Sequence, residues 1–177
     1  MKKFLYHFVP PNMQGDVLFP LNVLKEKYPD IYAGAASKYD ARKYVMEDVV
    51  PGLGCLWNDV IHLTAVHPRD LKKALVEAGG RSEMPIVCYE VDPDILDPKN
   101  TVVYLYKYMK REDKFEEDNF VPFKVANISE YSHIPEVTKN YFKRTFQAGE
   151  WPLKFAFVSH ILYQGTIDVS QCPIVRV

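Results

Sequence analysis

Between Gly52 and Gly80 the chain reads GLGCLWNDVIHLTAVHPRDLKKALVEAGG, and no other stretch constrains the fold as tightly. Pro51, Gly52 and Gly54 are turn residues. From Asp59 to Val66 the residues alternate, which predicts a strand. Ile61, Leu63 and Ala65 make one wholly apolar face, destined for the core. Val60, His62, Thr64 and Val66 make the other, and its histidine and hydroxyl suit a strand that lines a cleft or meets solvent. His67-Pro68 closes the strand. Pro68 fits the first position of a helix and Asp70 complements its dipole. Leu71, Leu75 and Ala78 form the buried stripe, and Gly79-Gly80 stops the helix. Trp57, Asn58 and Asp59 precede the strand as a loop that rims a pocket or closes the strand through side-chain hydrogen bonds.

Around this unit the pattern predicts further elements. Lys3–Val9 is a strand with apolar residues on both faces, hence a buried central strand that Pro10-Pro11 ends. Pro20 opens a helix carrying Leu21, Leu24 and Tyr28. A second helix runs over 30–48 with Ile31, Ala35, Tyr39, Arg42 and Val45 in phase, and Gly34 is its weak point. Strands are expected over 85–91, 101–108, 120–125, 155–163, 166–169 and 173–177. A helix over 136–146 should turn Val137, Tyr141, Phe142 and Phe146 inward. Lys107–Asn119 mixes charges of both signs and reads as a solvated loop. The sum is an α+β fold, a mostly antiparallel twisted sheet of about six to eight strands with three or four helices, in one domain over 1–177.

Composition narrows the function classes. With 22 basic and 23 acidic side chains the formal net charge is -1, which argues against generic nucleic-acid binding. Lys38, Arg42 and Lys43 form a solvated face or a small anion-contacting patch. Cys55, Cys88 and Cys172 are far apart and make no CxxC pair, so buried thiols are expected rather than a zinc site or a disulfide framework. The apolar run after Lys2-Lys3 stops at Pro10, too short for a signal peptide, and no stretch reaches the roughly 20 apolar residues of a membrane span. A cytoplasmic protein is the expectation.

No GxSxG, GxGxxG or GxxxxGK[ST] motif occurs, and His7, His62, His67, His133 and His160 show no HxH or HExxH spacing, so no metal site is expected. A Ser-His-Asp or Cys-His arrangement is possible on paper; the named one is Cys55, expected in an exposed loop, with His62 or His7 as base. His7, at the end of an interior strand, is either a satisfied core residue or a ligand-facing one.

The LYHFV strand, with helices after it and strands dominating the second half, resembles the ADP-ribosyltransferase-like superfamily, which includes toxin-type transferases and RNA 2′-phosphotransferases. The resemblance implies NAD as cofactor, with His7 on the ribose hydroxyls and either Tyr89 or Tyr104 beside the nicotinamide. It implies Gln164, in ILYQG, at the reacting carbon, where an amide oxygen can stabilise oxocarbenium-like charge. The superfamily's glutamate has no counterpart in this chain. His62 and Thr64 would line the cleft. A small-molecule ligand and a macromolecular acceptor follow as partners. The other class is a non-catalytic binding or interaction domain with an aromatic, histidine-bearing cleft.

Overall fold

In the computed structural model, residues 2–39, 43–106 and 115–177 are described. The elements run β1 (Leu5–Phe8), β2 (Val17–Leu18), α1 (Leu21–Lys27), α2 (Pro29–Ala36), β3 (Val49–Val50), β4 (Cys55–Leu56) and β5 (Ile61–Leu63). They continue with α3 (Pro68–Glu77), β6 (Val87–Val91), β7 (Thr101–Tyr104), β8 (Phe120–Pro122), α4 (Glu136–Gln147), β9 (His160–Tyr163), β10 (Ile167–Asp168) and β11 (Ile174–Arg176). The class is α+β, with every strand pair antiparallel.

The strands do not form one sheet. A three-stranded sheet has the order β1-β6-β11, a four-stranded sheet the order β5-β9-β7-β8, and β2 with β10 and β3 with β4 make two small ladders. Strand alternation then builds the core in layers. Leu5 and Val91 from the first sheet meet Ile61, Leu63, Val103 and Ile161 from the second, filling the space between the two. On the far side of the three-stranded sheet, Tyr6 and Cys88 pack under Leu71 and Leu75 of α3 and Phe142 of α4. On the far side of the four-stranded sheet, Val102, Tyr104 and Leu162 pack with Val50, Cys55 and Trp57.

Helix α3 forms where every local signal agrees. The His67 ring accepts from the Arg69 amide at 3.0 Å as an N-cap, and Pro68 begins the first turn. At the other end Gly79 has φ +111°, its amide reaches Val76 O, and the Gly80 amide reaches Leu75 O at 2.8 Å. That pair of bonds is a Schellman stop, which an L side chain at Gly79 would strain.

Several expectations are corrected. Strand β1 is an edge of its sheet, and β6 is the centre, because β1 meets β5 through a single bridge. The helix expected over 30–48 ends at Ala36 and gives way to short 3-10 turns over Ser37–Tyr39 and Lys43–Glu47. Residues 40–42 lie outside the described residues, as do the side chains of Lys38 and Lys43, so the basic patch falls outside what is described. The same holds for residues 107–114 of the charged run, whose remainder forms a 3-10 turn over Glu117–Asn119.

The strand expected over 155–163 is paired only from His160, since 154–157 is a turn in which Phe157 has φ +59°. In α4 Val137 is 42% exposed, and Thr138 takes its place inside by donating to Ala156 O at 2.9 Å. Tyr141, Phe142 and Phe146 pack on the core as expected.

Candidate functional site

Tyr6 and Thr64 exchange two backbone hydrogen bonds, of 2.7 and 3.0 Å, and pair as an isolated antiparallel bridge. Beyond it the strands part. His7–Val9 runs one way along β6, Val60–His62 the other way along β9, and the gap between them is a cavity of about 330 Å³. Helices α1 and α2 close it with Leu21, Leu24, Ile31 and Ala35, and Pro10, Met13, Leu18 and Phe19 line the segment between. Apolar walls come in by default, because short helices that carry no fully buried residue still turn their stripes toward this gap.

Two aromatic pairs flank the space. Phe8 and Phe155 lie 4.8 Å apart, and Phe19 and Tyr28 lie 6.2 Å apart, all four lining the cavity. The Lys154 ammonium stands 4.7 Å over the Phe8 ring and that of Lys27 stands 5.1 Å over the Phe19 ring. Neither lysine is a lining residue, and the described lining holds no Asp, Glu, Lys or Arg. Its polar side chains are His7, Gln14, Tyr28, Tyr39, Asn58 and His62.

The two histidines are oriented by main-chain carbonyls. His7 Nδ1 is 2.6 Å from Phe8 O, so Nδ1 carries a proton and donates to that carbonyl. His62 Nε2 is 3.2 Å from Trp57 O and donates to it, the other ring nitrogen from that used by His7. Between them sits the 3-10 turn Trp57–Asp59, held from several sides. Asp59 accepts from the Leu56 amide at 2.9 Å and from Asn22 Nδ2 at 2.6 Å, and Trp57 Nε1 donates to Tyr39 Oη at 3.1 Å. Asn58, at the middle of this turn, is 2% exposed, lines the cavity, and has a buried Oδ1 with no hydrogen-bond partner. The other such atom among the described residues, Asn119 Oδ1, is not at the cavity.

Of the residues singled out from the sequence, His7 and His62 line this one cavity; Thr64, Tyr89, Tyr104 and Gln164 do not. Thr64 is 1% exposed and its hydroxyl accepts from the Val66 amide, so it fixes the chain rather than facing a cleft. Tyr89 stands opposite His7 in the ladder, but its hydroxyl donates to Met13 Sδ at 3.3 Å, and burial followed by Asp16 pushes that phenol up. Tyr104 is 2% exposed inside an aromatic cluster with Phe120 and Trp57, and burial pushes its phenol far up. Gln164 follows β9 in the other sheet, its backbone N–H donating to Asn100 O at 2.8 Å.

Cys55 is buried, not in an exposed loop. Burial and then the Asp59 carboxylate both push its thiol up, the reverse of what a nucleophile needs. Among the described residues no group of three or more His, Cys, Asp or Glu side chains could hold a metal ion, and no helix is long and apolar enough to cross a membrane. Asn58 was visible in the sequence only as one of three polar residues in a loop. Nothing in its neighbours marks it above Asp59.

No protein-family model matches the chain, and no curated protein or solved structure is significantly similar to it.

Proposed function

We propose that this protein binds a small molecule, and that its site is the His7–His62 cavity. The observation that carries the reading is the convergence of four separate segments on one largely apolar, solvent-open cleft with a few fixed polar groups. Binding pockets have this character, and they span roughly 300–1,000 Å³. At about 330 Å³ the cavity suits one ring or a fused pair rather than a whole dinucleotide. With no charged side chain in the described lining, the part of the ligand that enters is uncharged, since a buried unpaired charge is strongly disfavoured.

A second reading is NAD-dependent ADP-ribosyl transfer to an unidentified macromolecular acceptor. It is favoured by His7, which lines the cavity as the superfamily resemblance requires. Against it, Tyr89, Tyr104 and Gln164 are outside the lining, so the nicotinamide and reacting-carbon roles have no residue at this cavity.

Calorimetry separates these readings. The binding reading predicts that adenine, N6,N6-dimethyladenine or indole binds the wild type, and that Leu24→Trp, which fills the space, abolishes it. It also predicts no release of nicotinamide from NAD. Saturable NAD binding lost in His7→Ala, with nicotinamide released, would establish the transferase instead. If no ring fragment binds at millimolar concentration, the binding reading is wrong.

A further inference from the structure

We infer that Asn58 is the selecting residue of the cavity and that the ligand is an uncharged nitrogen heteroaromatic ring presenting an N–H donor beside a ring acceptor. The inference rests on the binding reading above and adds to it the chemical class of the ligand.

Asn58 stands out among the lining residues because its carbonyl oxygen is buried and unpaired. Buried polar atoms are almost always partnered, and one that is not calls for an explanation. A core position with no task would do better with an apolar side chain, because an orphaned acceptor lowers stability. The turn around Asn58 is not slack. Asn22, Asp59, Leu56, Trp57 and Tyr39 are joined by three side-chain hydrogen bonds on either side of it. The backbone of Asn58 is therefore held, while its amide oxygen lies buried and unbonded and reaches a ligand by rotation of the carboxamide.

The partner follows from the amide's chemistry. A carboxamide offers one donor edge and one acceptor edge side by side, and its terminal torsion is soft, so a small rotation can bring the oxygen to a ligand. Its best complement is a ring edge carrying an amino group next to a ring nitrogen, the pairing that asparagine makes with adenine. The aromatic pairs Phe8–Phe155 and Phe19–Tyr28 add aromatic surface to the lining for such a ring. A carboxylate-bearing ring does not fit the orphaned oxygen, which repels it, and the described lining offers it no Lys or Arg.

The test is calorimetry on the full chain with adenine, N6,N6-dimethyladenine and benzoate, with melting temperature recorded alongside. N6,N6-Dimethyladenine keeps the ring and loses the amino donor; both adenines are used as their 9-methyl derivatives, because a free N9–H is itself a donor beside a ring acceptor. The wild type should prefer adenine by roughly tenfold or more, the worth of one hydrogen bond in a buried site, and should not bind benzoate. Asn58→Leu should melt at or above the wild-type temperature and lose the preference to within about twofold. Asn58→Ala serves the same comparison if the leucine variant does not fold. Equal affinity of the wild type for the two adenines, or a preference that survives both variants, would overturn the role of Asn58 while leaving the cavity a binding site. Absence of binding by every ring would overturn both.

Discussion

Tyr6 and Thr64 are joined by a reciprocal pair of backbone hydrogen bonds that bridges the three-stranded sheet to the four-stranded one. The cavity exists because that pairing goes no further. Thr64 stabilises this junction through its hydroxyl, which accepts from the Val66 amide at 3.1 Å in a fully buried setting. Thr64→Val keeps the shape and removes the acceptor, leaving a buried N–H unpaired. It should lower the unfolding free energy by about 1–3 kcal/mol in urea titration. Ring binding by the folded variant should be unchanged. A loss of binding with stability intact would make Thr64 a contact residue after all.

Asp59 ties the site-bearing turn to the helical lid. Its carboxylate takes hydrogen bonds from the Leu56 amide and from Asn22 on α1. Asp59→Ala removes both, and the expected loss is about 2 kcal/mol, typical of hydrogen bonds to a charged group at a partly buried site. Asn22→Ala removes only one and should cost less. Ligand affinity should fall with both variants, in the same order. Identical effects on affinity would mean that the α1 wall is held by packing alone.

Alkaline stability should be governed by buried acids. The Cys88 thiol is pushed up to about 12 from its ordinary 9.0, chiefly by burial, with Lys154 opposing weakly. The folded state therefore keeps this proton where the unfolded chain releases it. Its contribution is complete below pH 9 and is lost as pH rises from 9 toward 12. Tyr6 and Tyr104, pushed up by burial above their ordinary 10.0, act in the same direction at higher pH. Urea midpoints in reductant should fall from pH 9 to 10, and fall less steeply in Cys88→Ala. Parallel slopes in the two proteins would exclude Cys88 as a source.

The sequence was most informative where independent local signals coincide. Pro68, Asp70, the Leu71–Leu75 stripe and Gly79-Gly80 all point to one helix, and α3 has those ends. Strand parity likewise assigned Ile61 and Leu63 to the core. Elsewhere a tertiary contact decided the matter. In α4 the phase holds for Tyr141, Phe142 and Phe146, while Val137 is exposed and Thr138 is buried with its hydroxyl on Ala156 O, and the 30–48 pattern yields to turns after Ala36. The cavity was legible only in part. His7 and His62 carry their chemistry openly, so both were visible as candidates, but their meeting depends on where β1 and β5 part. Tyr89, Tyr104 and Gln164 match a motif by type and order, which says nothing of which sheet or face receives them.

The proposed ring-sized ligand enters between His7 and His62. Imidazole resonances of the five histidines, followed by NMR through an adenine titration of the unmodified chain, test it most directly. His7 and His62 should move most and saturate together, while the exposed His133 stays in place. Five unmoved histidines at millimolar adenine, or shifts confined to His67 and His133, would contradict the account.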